Sequence, residues 1–362
     1  MRIAIDARMM GAGNTRGIGR YIHETVEAMK RAAPQHEYVL LNPSIRWYTL
    51  AEQVRMPFEF AEAKADVVWI PHWNVPLLYW GAPLVITIHD LLLVHQPLSA
   101  KASTRGPVIS FLKRMGHRVV LWNAVHRAKN ILAPTHEVAR DIAEHFRFAE
   151  TKIIVTGEGM TQLPVGAIHE LPLQTQPFLF YFGSAYPHKR LDLLLGAWKI
   201  ISVAHPDLSL IIGGEHDVFM GRVMEAAKQM NLPRVHFPGR LTDESLATHL
   251  KQAICHVHPS SFEGFALPSL EALSFDCPTI VSDIQVMKEV LPKDGVFFFK
   301  NGDLNGMIAE IEKVLAHSEQ AHAEAHRGGE EAKRNNDWDV TAKKTLDVLC
   351  LAQAQKKSHQ KK

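Results

Sequence analysis

The sequence predicts an α/β protein made of two doubly wound, Rossmann-like domains in tandem. Three observations lead there. The 362 residues suffice for two domains of ordinary size, each with its own core. Short apolar runs alternate with helical stretches along the first half, the β-α-β pattern of a parallel sheet. A second series of the same kind starts at Phe178, after a stretch over 157–177 that is rich in Gly, Pro and Gln and has no period. The expected bounds are an N-terminal domain over 1–160, a linker over 161–177, a C-terminal domain over 178–336 and a last helical segment over 337–362.

Composition narrows the function classes. With 46% hydrophobic and 22% charged residues the chain reads as an ordinary soluble globular protein, and a net charge of +2 is too small for a dedicated nucleic-acid binder. No apolar run approaches the roughly 20 residues that span a bilayer. Met1-Arg2-Ile3-Ala4-Ile5-Asp6 enters a strand directly rather than a signal peptide, so the cytoplasm is the expected compartment. Cys255, Cys277 and Cys350 are scattered without a C-x-x-C pair, which indicates neither a disulfide framework nor a zinc site; Cys255 and Cys277 read as small core residues.

In chain order, the strand Arg2 to Asp6 runs into a glycine-rich loop, Gly11 to Gly19, that opens a helix ending near Ala33. Strand, flexible loop and helix start make a seat for phosphate or sugar, although glycines there also serve merely to turn the chain. The spacing does not fit G-x-G-x-x-G, and no acidic residue ends a second strand, so a nicotinamide-binding domain is disfavoured. Strands follow at Tyr38–Leu41, Val67–Ile70 and Leu84–Ile88. Just past two of them lie Pro71-His72-Trp73-Asn74 and Thr87-Ile88-His89-Asp90, where ligands bind in open α/β sheets. A histidine so placed reads as functional or as structural, and the chain has 21.

From Lys101 to Lys129 the chain is helical and basic, with Arg105, Lys113, Arg114, Arg118 and Arg127 interleaved with apolar residues. It reads either as a surface for anionic membranes or as a core-facing helix with a solvated basic back. A strand at Ile131–Ala133, a helix at Glu137–Phe146 and a strand at Ile153–Val155 complete the half, and Thr156-Gly157-Glu158-Gly159-Met160 turns out of it.

The second series reads strand Phe178–Phe182, helix Arg190–Ala204, strand Leu208–Ile212, helix Val218–Met230, strand Val235–Phe237 and helix Asp243–Lys251. Its first loop, Gly183 to Arg190, offers Lys189, or alternatively Arg190, as a point charge for a diphosphate. Ala253 to His258 is a buried strand, and Pro259, Ser260 and Ser261 end it. The following helix has Pro268 at its start, with Glu263 in the loop before it and Glu271 on its first turn. Gly264 lets backbone approach a ligand, and the N–H groups around Phe265, Ala266 and Leu267 can seat a phosphate. Taken singly, Glu263 reads as a solvated loop acid and Glu271 as a complement to the helix dipole. Beyond them come strands at Thr279–Ser282 and Val296–Phe299, helices to Val290 and from Leu304 to Leu315, a polar helix, a helix from Trp338 to Gln355 and a frayed basic tail. Asp337-Trp338-Asp339 looks like an Asp-x-Asp metal motif but reads as a helix cap, being far along the chain from every other candidate.

The whole string changes the reading of the two carboxylates. E-G-F-A-L-P-S-L-E-A-L, followed by Cys277-Pro278 and the Thr279-Ile280-Val281-Ser282 strand, resembles the donor-site signature of family-4 glycosyltransferases. Gly17-Ile18-Gly19-Arg20-Tyr21 is similar to the family's acceptor-side loop, T-I-H-D to its segment near the donor sugar, and Pro238-Gly239-Arg240-Leu241 to its base-contacting turn. The resemblance spans nearly the whole chain. It implies a GT-B architecture of two domains facing a cleft, with the terminal helix crossing back to the first. It implies a retaining, metal-independent transfer from a nucleoside diphosphate sugar, with no further cofactor. Glu271 would hold ribose hydroxyls, Glu263 the donor sugar, and His89 a sugar hydroxyl, while Gly183, Ser184, Lys189 and Gly264 to Leu267 surround the diphosphate. Arg240 and Leu241 would read the base through main-chain atoms, and Gly17, Gly19, Arg20, Tyr21 and His72 would face the acceptor. Two places depart from the family: Ser184 stands where an arginine is usual, with His188 as a partial substitute, and Glu158 stands in a turn that is usually Asn-Gly-Val-Asp-like. Asp6-Ala7-Arg8, G-I-G-R-Y and T-I-H-D-L look most like mannosyltransferases of bacterial surface-polysaccharide assembly, which makes GDP-mannose the expected donor and a glycan or lipid-linked molecule on the inner membrane face the expected acceptor.

Two rival readings remain. Glu263 and Glu271 could be the acid and nucleophile of a glycoside hydrolase, which needs them about 5–10 Å apart across one bond; the phosphate-seating loops would then have no purpose. The chain could also be a catalytically idle binding subunit, a reading that Ser184 and the Glu158 turn keep open.

Overall fold

The computed structural model describes residues 1–10, 17–95, 107–161, 163 and 176–360, without the side chains of 107–114 and 356–360. The chain divides into two compact units, Met1–Gly159 with Asn336–Lys362, and Met160–Asn335. The expected linker and the start of the basic segment lie outside the described residues, apart from a few linker positions.

In unit 1 the elements are β1 (Arg2–Asp6), α1 (Ile18–Ala32), β2 (Glu37–Leu41), α2 (Leu50–Glu62), β3 (Val67–Ile70), β4 (Leu84–Thr87), α3 (Leu92–His95), α4 (Pro107–Arg127), β5 (Asn130–Ala133), α5 (His136–His145), a 3₁₀ turn at Arg147–Lys152 and β6 (Ile153–Val155). The strands pair in parallel in the order β2-β1-β3-β4-β5-β6. Because β1 lies between β2 and β3, the chain winds one way and then the other from it. The switch point is the gap between β1 and β3. Strands β3, β4 and β5 are buried on both faces, which explains their continuous apolar runs.

α2 is a helix that periodicity alone does not single out. Its buried positions include the carboxylate of Glu52 beside Met56 and Phe60, and Pro57 interrupts it. Thr49 caps it by accepting the Glu52 N–H at 3.3 Å.

In unit 2 the elements are β7 (Phe178–Phe182), a 3₁₀ turn at Pro187–Lys189, α6 (Leu191–Ala204), β8 (Ser209–Gly213), α7 (Val218–Gln229), β9 (Val235–Gly239), α8 (Asp243–Gln252), β10 (Cys255–His258), α9 (Leu267–Leu273), β11 (Thr279–Ser282), α10 (Gln285–Val290), β12 (Val296–Phe299), α11 (Leu304–Ala316) and α12 (Ser318–Asn335). The second parallel sheet has the order β12-β11-β10-β7-β8-β9, so its switch point lies between β7 and β10. Trp198 of α6 is fully buried and donates its indole N–H to the Pro233 carbonyl at 2.8 Å. Cys255 and Cys277 are buried core residues.

The last helix, α13 (Trp338–Gln360), packs on α1 and belongs to unit 1. Its buried stripe of Trp338, Ala342, Leu346, Leu349 and Ala352 recurs at helical spacing and meets Tyr21, Ile22, Val26 and Met29. Gly159 makes this possible, since a Cβ there would run into the Trp338 ring and backbone. The helix continues to Gln360, past the point where the sequence suggests a frayed tail. Among the described residues no helix is long and apolar enough to cross a membrane.

Candidate active site

The loops after β7 and β10 flank the switch point of unit 2, where doubly wound sheets hold their ligands. Gly183 leaves β7 at φ +139°, a conformation that side chains disfavour, and its N–H bonds the Gly213 carbonyl at 2.9 Å. The chain then makes the Pro187–Lys189 turn, which places Lys189 Nζ 2.6 Å from Glu263 Oε1. Arg190, at φ +53°, turns away to Asp192 at 3.1 Å. Ser261 donates its N–H and hydroxyl to the His188 carbonyl, at 2.8 and 3.1 Å, and so ties the two loops together. The Ser184 carbonyl accepts the Tyr181 hydroxyl at 2.5 Å.

Glu263 has a second partner from the strand itself. His258, at the end of β10 and 1% exposed, lies with Nε2 2.8 Å from Glu263 Oε1 and Nδ1 2.9 Å from Ser269 Oγ. A carboxylate only accepts, so Nε2 carries the proton and Ser269 donates to Nδ1. Burial pushes the Glu263 carboxyl up, but Lys189 beside it and then His258 pull it well below the usual carboxylate range. Burial lowers His258, and Glu263 offsets part of that. Burial and then Lys189 bring His188 down to about 4. The Tyr181 hydroxyl is raised by burial and by Glu263.

Phe265 and Ala266 are buried between Glu263 and α9, and Gly264 is buried beside them. Glu271 is 4% exposed, and its position corrects the expectation of a first-turn residue. The helix starts at Leu267, so Glu271 is its fifth residue and no acid stands in its first turn. A dipole role is therefore not what keeps it there. Arg240, exposed, and Leu241, buried, follow β9, two strands away from β7 at the same end of the sheet.

Unit 1 has two polar groupings at the carboxyl ends of its strands. After β4, His89 Nδ1 lies 3.1 Å from Glu158 Oε1 and Nε2 lies 3.2 Å from the Pro71 carbonyl. Glu158 and the Pro71 carbonyl both offer acceptors to the ring, which donates to one or the other according to its tautomer. Tyr21, 1% exposed on α1, meets His89 edge-on at 4.7 Å and its hydroxyl lies 3.4 Å from Thr87 Oγ1. Arg20 and Gly19 are also buried in α1, and Gly17 precedes the helix at φ +61°.

The second grouping surrounds the switch point between β1 and β3. Arg8 forms a two-point bond to Asp6, at 2.9 and 2.7 Å, and reaches Glu52 Oε1 at 2.8 Å; all three side chains are at most 2% exposed. Glu52 also accepts from Asn74 Nδ2 at 2.8 Å and from the Tyr48 N–H at 2.7 Å. The Arg8 guanidinium lies 3.8 Å above the Trp47 ring. His72 accepts the Asn74 N–H on Nδ1 at 3.1 Å, and burial, followed by His89, Arg8 and His117, brings it down to about 3. Tyr48 stands over this network at φ +58°, a left-handed conformation costing a bulky residue on the order of 1–3 kcal/mol.

The sequence model for Glycosyl transferases group 1 matches residues 168–334, and that for Glycosyltransferase Family 4 matches residues 15–160. The chain belongs to the family-4 glycosyltransferases. It is 25% identical over 342 residues to a glycogen synthase of Mycobacterium tuberculosis, covering 91% of this chain and 81% of that one. It is 25% identical over 251 residues to the O-antigen chain mannosyltransferase RfbU of Salmonella typhimurium, covering 69% of this chain and 65% of that one. Among solved structures it is similar to sucrose-phosphate synthase from Thermosynechococcus elongatus, with a TM-score of 0.76, 18% identity and coverage of 98% and 99%. It is also similar to WaaG, a glycosyltransferase involved in lipopolysaccharide biosynthesis, with a TM-score of 0.72, 16% identity and coverage of 96% and 99%. The fold of this glycosyltransferase is thus GT-B.

Several groups in the enzyme's sites carry no sequence signal of their own. His258, Ser269 and Glu52 are found only through their contacts, whereas Asn74 belongs to the strand-end segment that the sequence already points to. Asp6 and Arg8, two apart at a strand end, and Glu158, a carboxylate where the family turn differs, leave a local trace. Asp337 and Asp339 act locally: Asp337 accepts the Asp339 N–H at 2.8 Å, and Asp339 pairs with Arg31 at 2.7 Å. No group of three metal-ligating side chains occurs among the described residues.

The buried histidines set an acid limit on stability. His72 is held at about 3 and His188 at about 4, both below the ordinary value. The unfolded chain takes up protons at these sites from about pH 6.5 downward while the folded chain does not. Stability is therefore full above that pH and falls as the pH drops toward 4. At about pH 5 each site should cost roughly 2 kcal/mol. Urea unfolding near neutrality and near pH 5 should show the loss, and His188→Asn should remove one site's share. A stability that is flat across this range would contradict the burial of these rings.

Proposed function

We propose that the enzyme transfers a sugar, with retention at the anomeric carbon and without a metal, from a nucleoside diphosphate donor to a glycan or lipid-linked acceptor. The observation that carries this reading is the Lys189–Glu263 pair, with His258, at the switch point of unit 2. Lys189 would meet charge building on the leaving diphosphate, together with backbone N–H groups near Gly264 to Leu267. Glu263 would hold the donor sugar, Glu271 the ribose hydroxyls, and Arg240 and Leu241 the base. Two similar solved structures support a nucleotide sugar: the Anabaena protein HepE in complex with UDP-glucose, and in complex with UDP and glucose. The relatives named O-antigen chain mannosyltransferases support mannose, so GDP-mannose is the first donor to try. The idle-subunit reading is weaker, because both charges of the donor site are present and paired.

A thermal-shift panel of nucleotide sugars, followed by assay in EDTA with the donor that stabilises, tests the reading. Glu271→Ala should mainly raise the donor KM, by roughly 10- to 100-fold, since its contact is the same in ground and transition states. Glu263→Gln should act chiefly on kcat, by about 10²–10³, because charge develops beside it. Equal collapse of kcat in both, with donor affinity untouched, would favour the hydrolase instead.

Glu158 would act through His89 by fixing the ring's orientation at the donor sugar. Glu158→Ala should lower kcat/KM by roughly 10- to 100-fold. Glu158→Gln, which keeps an acceptor for Nδ1–H, should restore most of it. If Gln is as impaired as Ala, charge and not orientation is what the residue supplies.

Attachment to anionic membranes would use α4. Its described outward face carries Met115, Val119 and Trp122 with Arg118, while Leu121, Ala124 and Val125 face the core. α2 adds Leu50, Val54 and Phe58, all exposed and one turn apart. Co-sedimentation with phosphatidylglycerol liposomes should occur at low salt, fall as salt screens the basic charges, and weaken in Trp122→Ala. No sedimentation at low salt would exclude this surface.

A further inference from the structure

The switch point of unit 1 holds a cluster of rings. Tyr48 packs at 5.9 Å on Trp73, 6.2 Å on His72, 5.3 Å on His117 and 6.3 Å on Trp47. Trp73 is buried, whereas Tyr48 is 48% exposed. Beneath them run Asp6, Arg8 and Glu52, so the rings rest on fixed ion pairs rather than on a deformable apolar core.

Three independent features set this cluster apart from a core that merely reaches the surface. It sits where the strand order reverses, with Arg8 following β1 and His72 and Trp73 following β3. Its outermost ring is on a non-glycine residue in the left-handed region, a conformation retained only where the surroundings impose it. Those surroundings are explicit: Glu52 holds the Tyr48 N–H, while Glu52 itself is held by Arg8 and Asn74. The fold thus presents an aromatic face outward at a conformational cost.

Such a face, with polar groups at its edge, suits a pyranose, whose axial C–H bonds make one face apolar while its hydroxyls point outward. Among the described residues a nucleoside diphosphate is the poorer match, since Asp6 and Glu52 beneath the rings offset the charge of Arg8. A glycosyltransferase needs two substrate sites, and the Lys189–Glu263 loops of unit 2 account for the donor. We propose that Tyr48, backed by Trp47 and Trp73, is the stacking platform for a sugar ring of the acceptor. This rests on the glycosyltransferase reading above.

Saturation-transfer NMR with the full chain tests it, using methyl α-mannoside, methyl α-glucoside and methyl β-galactoside as probes. Saturation should reach the ring C–H protons of at least one of them. Tyr48→Ala and Trp47→Ala should each weaken that glycoside roughly three- to tenfold, and Tyr48→Phe should bind as the parent does. Tyr48→Gly should lose binding like Tyr48→Ala yet melt higher than it, because glycine relieves the left-handed backbone. Stabilisation by nucleotide sugars, read separately by thermal shift, should be unchanged in all four variants. Unaltered saturation in Tyr48→Ala and Trp47→Ala, or no saturation of any glycoside by the parent, would overturn the platform. Failure of every nucleotide sugar to stabilise the parent would instead count against the donor reading.

Discussion

The Glu263 carboxylate is the constraint on which unit 2 is arranged. A buried carboxylate is costly unless cations or donors face it, and here a lysine from the loop after β7 and a histidine from β10 do so. Lys189 reaches it because Gly183 turns the chain at β7 and Ser261 binds the His188 carbonyl. His258 reaches it because Ser269, on the first turn of α9, holds the far side of the imidazole. The Lys189–Glu263 and Ser261–His188 contacts cross the gap between β7 and β10, where the sheet topology leaves room, and His258 meets Glu263 from β10 itself. Removing Glu263 would leave both Lys189 and His258 without their shared acceptor, so strand order, loop shape and local charge are mutually dependent here.

Unit 1 solves the same problem with different residues. Its switch point also holds a buried carboxylate and cation, Glu52 with Arg8, braced by Asp6 and Asn74. The difference lies in what stands above. Glu263 is met by a lysine and a histidine; beside Glu52 and Arg8 stand rings, one of them on a left-handed backbone. Arg8 is planar and forms a two-point bond to Asp6, and it also presents a flat face to Trp47, which a lysine could not do. Two parallel sheets of different strand order thus support two chemically distinct surfaces at their switch points.

Much of the fold was legible because the buried strands are written as unbroken apolar runs. Phe178–Phe182, Val67–Ile70 and Val296–Phe299 have the expected bounds. Helix α2 was not legible: the residue buried at its start is Glu52, and Pro57 breaks the local pattern. Glu271 was placed one residue too early, in the first turn, because Pro268 suggested the first helical position, whereas Leu267 already occupies it. The central string was legible as a signature of the family, yet its contacts were only half visible. Glu263 stands 74 residues from Lys189, and no local pattern encodes that meeting; His258, five residues before Glu263, looked like an ordinary strand residue.

The same distinction explains the turn after β6. As local sequence, Thr156-Gly157-Glu158-Gly159-Met160 was a departure from the family and a reason to doubt the site. In three dimensions Gly159 lets Trp338 of α13 close against the turn, and Glu158 beside it points its carboxylate at His89, 69 residues earlier. A buried carboxylate at 4% exposure is tolerated there because an imidazole meets it, and that imidazole is in turn held by the Pro71 carbonyl and the edge of Tyr21. The terminal helix and the His89 site are therefore coupled through two adjacent residues. What looks like a loss in one dimension is, in three, a carboxylate in contact with His89.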